Sequence, residues 1–319
     1  MQLTLGPVLY HWSPERWRDF YYRVADEAQV DAVVVGEAVC SKRAPFKQDH
    51  IPAVVERLEA AGKHVLHSSL ILISLPRERR QTRELMQSDE AEVEINDLSC
   101  LAGLAPKPFA VGPFVNVYNE VAAGFLAERG ATRICLPPEL PLTAVAAISA
   151  AVPQLATEVF AFGRVPLAIS ARCYHARAHK LTKDNCRFVC EQDPDGMPVK
   201  TLDGAGFLSV NGVQTLSDSC ASLLRDVPAL RQAGVASLRL SPQGCDMVAV
   251  ARLFRDVVDE RIDPEEAERR LGEIYPNVPF SNGFLHGAPG HVRTGAGGAT
   301  PGDRLVSQAR GGSLHENRA

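Results

Sequence analysis

Four cysteines in this sequence have the chemistry and the spacing of a metal centre. Three follow the pattern Cys173-x12-Cys186-x3-Cys190, and the fourth, Cys40, lies far upstream. Soft thiolate ligands select iron–sulfur clusters, zinc or Cu(I). A zinc ribbon normally pairs two tight Cys-x2-Cys knuckles, which this pattern lacks, whereas ligands from two separate loops suit the spread corners of a larger cluster. The spacing therefore predicts a metal site and leaves iron and zinc both open.

The surroundings of these cysteines distinguish them from the other four in the chain. Cys135 lies inside an apolar run and is interpreted as a packed core residue, as are the remaining three. His175 and His179 belong to the same polar stretch as the late cysteines and could replace one of them as a ligand. Nearby cations are expected to lower the thiol pKa values and to offset thiolate charge. They are Lys42, Arg43, Arg172, Lys183 and Arg187.

The elements that must position these residues alternate between short apolar strands and amphipathic helices. Strands apolar on both faces, separated by helices, are typical of a parallel sheet. Eight candidates are enough to close a (β/α)8, TIM-barrel-like fold, with an open doubly wound sheet as the alternative. No Gly-x-Gly-x-x-Gly supports a dinucleotide fold. The candidate strands are 3–5, 31–35, 64–71, 91–95, 108–111, 132–136, 156–160 and 236–240.

One barrel-like domain over residues 1–287 accounts for this alternation. A cysteine-bearing insertion of about 173–206 follows the seventh strand, and segments 198–202 and 206–211 could pair as a hairpin around Asp203-Gly204. The final stretch, 288–319, is rich in Gly, Pro, Ser, Arg and Thr and poor in apolar residues. Such a composition buries too little surface to offset its ordering entropy, so we predict a disordered tail.

Ionisable residues follow several of the predicted strands. The C-terminal ends of the strands in a parallel barrel form the face where chemistry collects. Glu37, His67 and Glu139 lie at such ends and are candidate acid–base residues. The sequence contains no His-Glu-x-x-His, no Gly-x-Ser-x-Gly and no P-loop, so it offers no recognisable hydrolase nucleophile.

The overall composition restricts the class of protein further. The chain has 319 residues, of which 45% are hydrophobic and 23% charged, with a net charge of -4. Neither a basic stripe for nucleic acid nor an apolar run long enough to span a membrane is present in the sequence. The N-terminus lacks the basic and apolar regions of a secretory signal, so a cytoplasmic location is expected. In a reducing compartment, clustered cysteines more often bind metal than form disulfides.

Several motifs together resemble the collagenase-like, U-class peptidase family, and in particular its members that act in ubiquinone biosynthesis. The clearest is Gly-Glu-Ala-Val-Cys-Ser-Lys-Arg at 36–43, and the likeness covers roughly 2–286. The other motifs are 5–9, 166–173, 211–215, 239–244 and 282–284.

This resemblance implies properties that composition and spacing do not. It implies a [4Fe–4S] cluster on Cys40, Cys173, Cys186 and Cys190. It also implies a heterodimer with a UbiU-like cluster protein, assistance from a UbiT-like lipid-binding protein, and oxygen-independent hydroxylation of a ubiquinone precursor. Prephenate is the oxygen donor expected from relatives. The peptidase label would then be an inherited name.

Three other functions remain open at the level of sequence. A zinc-stabilised binding module without catalysis would use the same four cysteines, and a U-class peptidase follows from the family name alone. Hydroxylation of RNA bases, an activity of some relatives, is disfavoured by the net negative charge. A cluster at the rim of a barrel would also be exposed to oxygen unless a partner covered it, so partner dependence is expected.

Overall fold

The computed structural model describes residues 1–88, 92–104 and 107–295. Eight parallel strands close into a barrel, because the last of them pairs with both the first and the seventh. The predicted (β/α)8 fold is confirmed, and the open-sheet alternative is wrong. The barrel strands are β1 (Gln2–Leu5), β2 (Ala32–Val35), β3 (His64–Ser68), β4 (Glu92–Ile95), β5 (Phe109–Val111), β6 (Ala131–Leu136), β7 (Ala156–Ile169) and β11 (Ser237–Leu240).

Helices cover the outside of the barrel and bury one face each. In the first helix, Ser13 accepts a hydrogen bond from the Arg16 N–H at 3.3 Å, and Trp17 and Tyr21 are fully buried beneath it. Burying one such side chain contributes about 1.5–3 kcal/mol. The helices are α1 (Pro14–Glu27), α2 (Ile51–Ala60), α3 (Pro76–Gln87), α4 (Glu120–Ala127), α5 (Leu142–Ala151), α6 (Tyr174–Ala178), α7 (Val227–Gln232), α8 (Met247–Val258) and α9 (Pro264–Ile274).

The insertion after the seventh strand is larger than predicted, and its sheet begins as a continuation of that strand. β7 continues to Ile169 and pairs antiparallel with β10 (Gln214–Ser222). β10 in turn pairs with β9 (Gly206–Asn211), and β9 with β8 (Met197–Lys200), which confirms the predicted hairpin. The sequence did not indicate β10 because its central Ser, Asp and Ser residues break the apolar alternation that marks a strand.

Charged side chains occupy part of the barrel interior. Arg239 on β11 donates from Nε to Glu158 Oε1 at 2.6 Å and also pairs with Glu94. All three side chains are at most 3% exposed. Burial alone raises the pKa of Glu158, but Arg239 and then Arg133 outweigh it, so the net pKa lies below the usual range. The buried Glu158 carboxylate is therefore stabilised in its ionised form by arginine.

The last described residues pack onto the barrel. A short strand, β12 (Phe280–Ser281), pairs parallel with β10. Asn282 Oδ1 accepts from the Thr294 N–H at 2.8 Å, and Arg293 donates to the Ser222 carbonyl at 2.7 Å. Residues 288–295, the start of the predicted disordered tail, therefore contact the fold. The rest of that predicted tail, 296–319, lies outside the described residues.

Replacing Arg239 tests the interior charge network. Arg239→Met leaves Glu94 without its cation in the barrel interior, so we expect the free energy of unfolding to fall by about 3–5 kcal/mol. Arg252→Met, an exposed change on α8, is the matched control and should stay within about 0.5 kcal/mol of the parent. Urea unfolding followed by circular dichroism measures both. Equal midpoints for the two variants would contradict the assignment.

Candidate metal centre

The loop after β2 holds Cys40 by its backbone. Glu37 Oε1 accepts hydrogen bonds from the N–H groups of Val39 and Cys40, each at 3.0 Å. Glu37 Oε2 pairs with Lys47 Nζ at 2.7 Å, and both side chains are at most 3% exposed. Gly36 opens the loop at φ +123, a conformation that side chains disfavour. The loop is therefore anchored to a buried ion pair.

The other three candidate ligands lie in the insertion. Cys173 is the N-cap of α6, where its sulfur accepts from the Ala176 N–H at 3.4 Å. Cys186 and Cys190 flank Arg187 and Phe188, which both have left-handed φ angles, 49° and 53°. Cys190 is buried in a short 3-10 turn.

All four cysteines line one cavity. Cys40, Cys173 and Cys186 are partly exposed there, and Cys190 is buried. The structure thus brings together residues separated by most of the barrel in sequence, because the loop after β2 and the insertion after β7 open on the same face. Apart from the cysteines, the cavity is lined by Lys42, Arg43, His175, Lys183, Phe188, Val189, Gly212 and Val213.

Arg43 is the buried cation of this cavity, at 1% exposure. Its guanidinium donates to the Leu9 carbonyl at 2.9 Å and to Asn211 Oδ1 at 3.0 Å, and its charge acts to lower the pKa of the Cys190 thiol. A Cβ at Gly212 would stand 2.8 Å from Arg43 Nη2, and Gly212 has φ +62, so glycine suits that position in two ways.

Burial dominates the thiol pKa values. It raises the pKa of Cys40, Cys173 and Cys190, since a thiolate loses solvation there. Arg43 lowers the pKa of each, but by less than burial raises it. The neighbouring cations do lower these pKa values, as the sequence predicts, but the net shift of the three thiols is upward because burial outweighs them. Burial is a tertiary property that charges neighbouring in sequence do not report.

The spacing of the sulfurs bears on which metal they fit. Over the described ranges, no three of these sulfurs all lie within 4.8 Å of one another. In a tetrahedral zinc site with Zn–S bonds of about 2.3 Å, the sulfurs stand about 3.8 Å apart. The cysteines are therefore more widely spread than a single zinc ion requires.

A separate trio of His175, His179 and Asp193 also offers ligand atoms within 4.8 Å of one another. His175 Nδ1 accepts from the Gly212 N–H at 3.4 Å, and its Nε2 lies 2.7 Å from Asp193 Oδ2. The ring proton is therefore assigned to Nε2, directed at the carboxylate, which leaves no lone pair there for a metal. We interpret this trio as a hydrogen-bonded link that holds the cysteine loop.

The turn at 193–196 ties the insertion to the barrel. Trp12 Nε1 donates to the Pro194 carbonyl at 2.7 Å, and the Gly244 N–H donates to Asp195 Oδ1 at 2.7 Å. The Tyr275 hydroxyl donates to the other oxygen of Asp195. The Asp-Pro-Asp-Gly pattern of this segment indicates a turn, but nothing local in it indicates that Asp195 fastens the insertion to the barrel.

The three candidate acid–base residues do not form one constellation. Glu37 is bound to Lys47; burial raises its pKa, but Lys47 and Arg43 outweigh that effect, so its net pKa is lowered. His67 and Glu37 both line a second cavity, distinct from the cysteine cavity. Burial lowers the pKa of His67. Glu139 instead accepts a hydrogen bond from the Tyr118 hydroxyl, near the surface. Their proposed roles stay predictions.

Three aromatic rings pack together beside the cysteine cavity. Phe46 packs edge to face against both His11 and Phe188, the His11–Phe188 pair is tilted, and the ring centroids are 4.7 to 5.7 Å apart. Burial, followed by the charges of Arg43 and Lys47, lowers the pKa of His11 to about 4, so this ring is neutral at physiological pH. Of these three rings, Phe188 lines the cavity and gives it an apolar side.

Fold and site together define a closed parallel barrel with a four-cysteine pocket built on an insertion after the seventh strand. The family model described as Peptidase family U32 matches residues 20–294, and the chain belongs to this family.

Two solved structures are similar in fold. The U32 peptidase Mk0906 has 14% sequence identity and a TM-score of 0.43, covering 76% of this chain and 94% of its own. N-acetylneuraminate lyase from Fusobacterium nucleatum, complexed with pyruvate, has 8% identity and a TM-score of 0.47, covering 86% and 80%. Within the described ranges, no helix is both long and apolar enough to cross a membrane.

A double-mutant cycle tests the ion pair beneath Cys40. Glu37→Gln keeps the shape and one acceptor oxygen but removes the charge facing Lys47, so we expect a loss of about 3–5 kcal/mol in unfolding free energy. Adding Lys47→Met should recover most of that loss, because neither charge is then buried alone. Glu139→Gln is the control and should change stability by less than about 0.5 kcal/mol. Additive losses in the double variant would contradict the pairing.

Proposed function

We propose that Cys40, Cys173, Cys186 and Cys190 ligate a [4Fe–4S] cluster. The observation that carries the proposal is their convergence on one cavity with sulfurs more widely spaced than a single tetrahedral ion needs. A four-iron cluster takes one thiolate at each of four separated iron corners, which accommodates this spacing. The residues present therefore fit the group.

The buried charges support an anionic occupant. Arg43 and Lys47 are both at 1% exposure, and the nearby carboxylate, Glu37, already binds Lys47. One buried positive charge is left facing the Cys190 sulfur. Because an uncompensated buried charge is costly, a set of thiolates with bound metal supplies the negative charge that this cavity lacks.

Such a cluster supplies electron transfer or a Lewis-acidic iron for binding an oxygen donor. The chain's own residues have separate roles. Glu37 orients the Cys40 backbone, and Arg43 brings a buried positive charge close to Cys190. The His175–Asp193 link and the Asp195 contacts hold the insertion against the barrel. Phe188 gives the pocket an apolar side.

We further propose a UbiV-like role, as the iron–sulfur component of oxygen-independent hydroxylation in ubiquinone biosynthesis. The support is the set of sequence motifs quoted above, together with membership in the U32 family. The proposal includes a UbiU-like partner, a UbiT-like lipid-binding protein and prephenate as the oxygen donor.

Peptidase activity is the second candidate, from the family's name and that of its relative Mk0906. In the part of the chain that the structure describes, no histidine ring is hydrogen-bonded to a serine, threonine or cysteine side chain. A nucleophile–base pair of the usual kind is thus not formed there.

Metal analysis after anaerobic purification tests the cluster. We expect about four iron and four acid-labile sulfide per chain, with loss of both in Cys186→Ser. Cys245→Ser, at a partly exposed thiol outside the cavity, is the matched control and should retain them. One zinc per chain without sulfide would instead favour the zinc-stabilised binding module.

Genetic complementation tests the pathway. A strain that lacks this gene and grows without oxygen should lose ubiquinone, measured by liquid chromatography of lipid extracts. The parent sequence and Cys245→Ser should restore it, and Cys186→Ser should not. Unchanged ubiquinone in the deletion strain would reject the pathway while leaving the metal analysis intact.

A further inference from the structure

The cysteine pocket is surrounded by positive charge. Between 172 and 187 the chain carries five lysine or arginine residues, against the single acid Asp184. Lys42, from the loop after β2, reaches the same segment and donates to the carbonyls of Lys183 and Asp184 at 2.8 and 2.9 Å. The whole chain has a net charge of -4, whereas this segment has a net positive charge. We name these six residues the basic rim: Lys42, Arg172, Arg177, Lys180, Lys183 and Arg187.

The basic rim is not neutralised by the protein itself. Among the residues that the structure describes, none of the rim's side chains forms an ion pair with a carboxylate, and Lys183 donates only to the Ala171 carbonyl, at 3.2 Å. Elsewhere on the surface, arginines are commonly paired: Arg57 with Asp26, and Arg269 with Glu266. Clustered cations without carboxylate partners repel one another, so the rim's charge is not accounted for by ion pairs within the described fold.

The position of the rim indicates what would bind to it. Arg172, Arg177, Lys180 and Arg187 are exposed, and three of the four cysteines beside them are partly exposed. Cations spread over an open surface suit an extended acidic face better than a small anion, which needs convergent donors in a pocket. Docking there would also bring the partner next to the cysteines.

We propose that the basic rim is the docking surface for an acidic electron-transfer protein that exchanges electrons with the cysteine centre. This inference rests on the proposed cluster. In the exchange, one electron leaves the reduced partner, which becomes oxidised by one electron, and enters the cysteine centre, which becomes reduced by one. The rim attracts and orients the partner against the overall negative charge of the chain.

Stopped-flow reduction tests this proposal with a reduced plant-type [2Fe–2S] ferredoxin as the acidic probe. We expect the bimolecular rate for the cluster-loaded protein to fall steeply as salt rises, since exposed charges are screened. Arg177→Glu/Lys180→Glu should lower the rate about tenfold or more at low salt, and the difference should shrink at high salt. Arg252→Glu, an exposed and unpaired arginine on α8, should stay within about twofold of the parent.

Binding of oxidised ferredoxin, measured by fluorescence anisotropy at low salt, separates this inference from the proposed cluster. The parent and Arg252→Glu should bind, and the double variant should not, whether or not iron is present. Equal binding and equal rates for all three proteins would overturn the docking surface. Absence of iron from a parent protein that still binds would reject the cluster but keep the surface. Iron content and circular dichroism confirm that the variants fold alike.

Discussion

Arg43 carries a positive charge into the protein interior, where the nearby carboxylate is already bound to Lys47. Much of the local architecture follows from holding that guanidinium. The Leu9 carbonyl and the Asn211 side-chain oxygen accept hydrogen bonds from the guanidinium, and Gly212 lacks the side chain that would collide with it. The same charge acts to lower the pKa of the Cys190 thiol in the cysteine cavity. The cluster proposed above would supply the negative charge that offsets this buried cation.

The long β7 connects the barrel to that pocket. This strand continues past the barrel and pairs with β10. The antiparallel strands β8, β9 and β10 therefore belong to the same sheet as the barrel and are hydrogen-bonded to it. The Asp193–Gly196 turn then fastens the extension to the barrel through Trp12, Gly244 and Tyr275. Ligands held on such a supported frame keep their relative positions better than ligands on free loops.

Membership in the U32 family describes ancestry and fold, whereas the chemistry has to be argued from the site. The fold class hosts many activities, and a family name by itself assigns none of them. In this chain the converging groups are four cysteine sulfurs beside a buried cation and an exposed basic rim. That combination favours redox or metal-dependent chemistry over the nucleophile–base chemistry that the word peptidase suggests.

The sequence by itself determined the eight barrel strands and singled out the four cysteines that line one cavity. These follow from local periodicity, capping and side-chain chemistry, which act over a few residues. Only the tertiary structure decided that burial raises the thiol pKa values, that Glu37 anchors a loop, and that Asp195 fastens the insertion. It also decided that β10 joins β7 to the β9 and β8 strands of the extension. Each of these depends on contacts between residues distant in the chain, whose distances and burial no local pattern encodes.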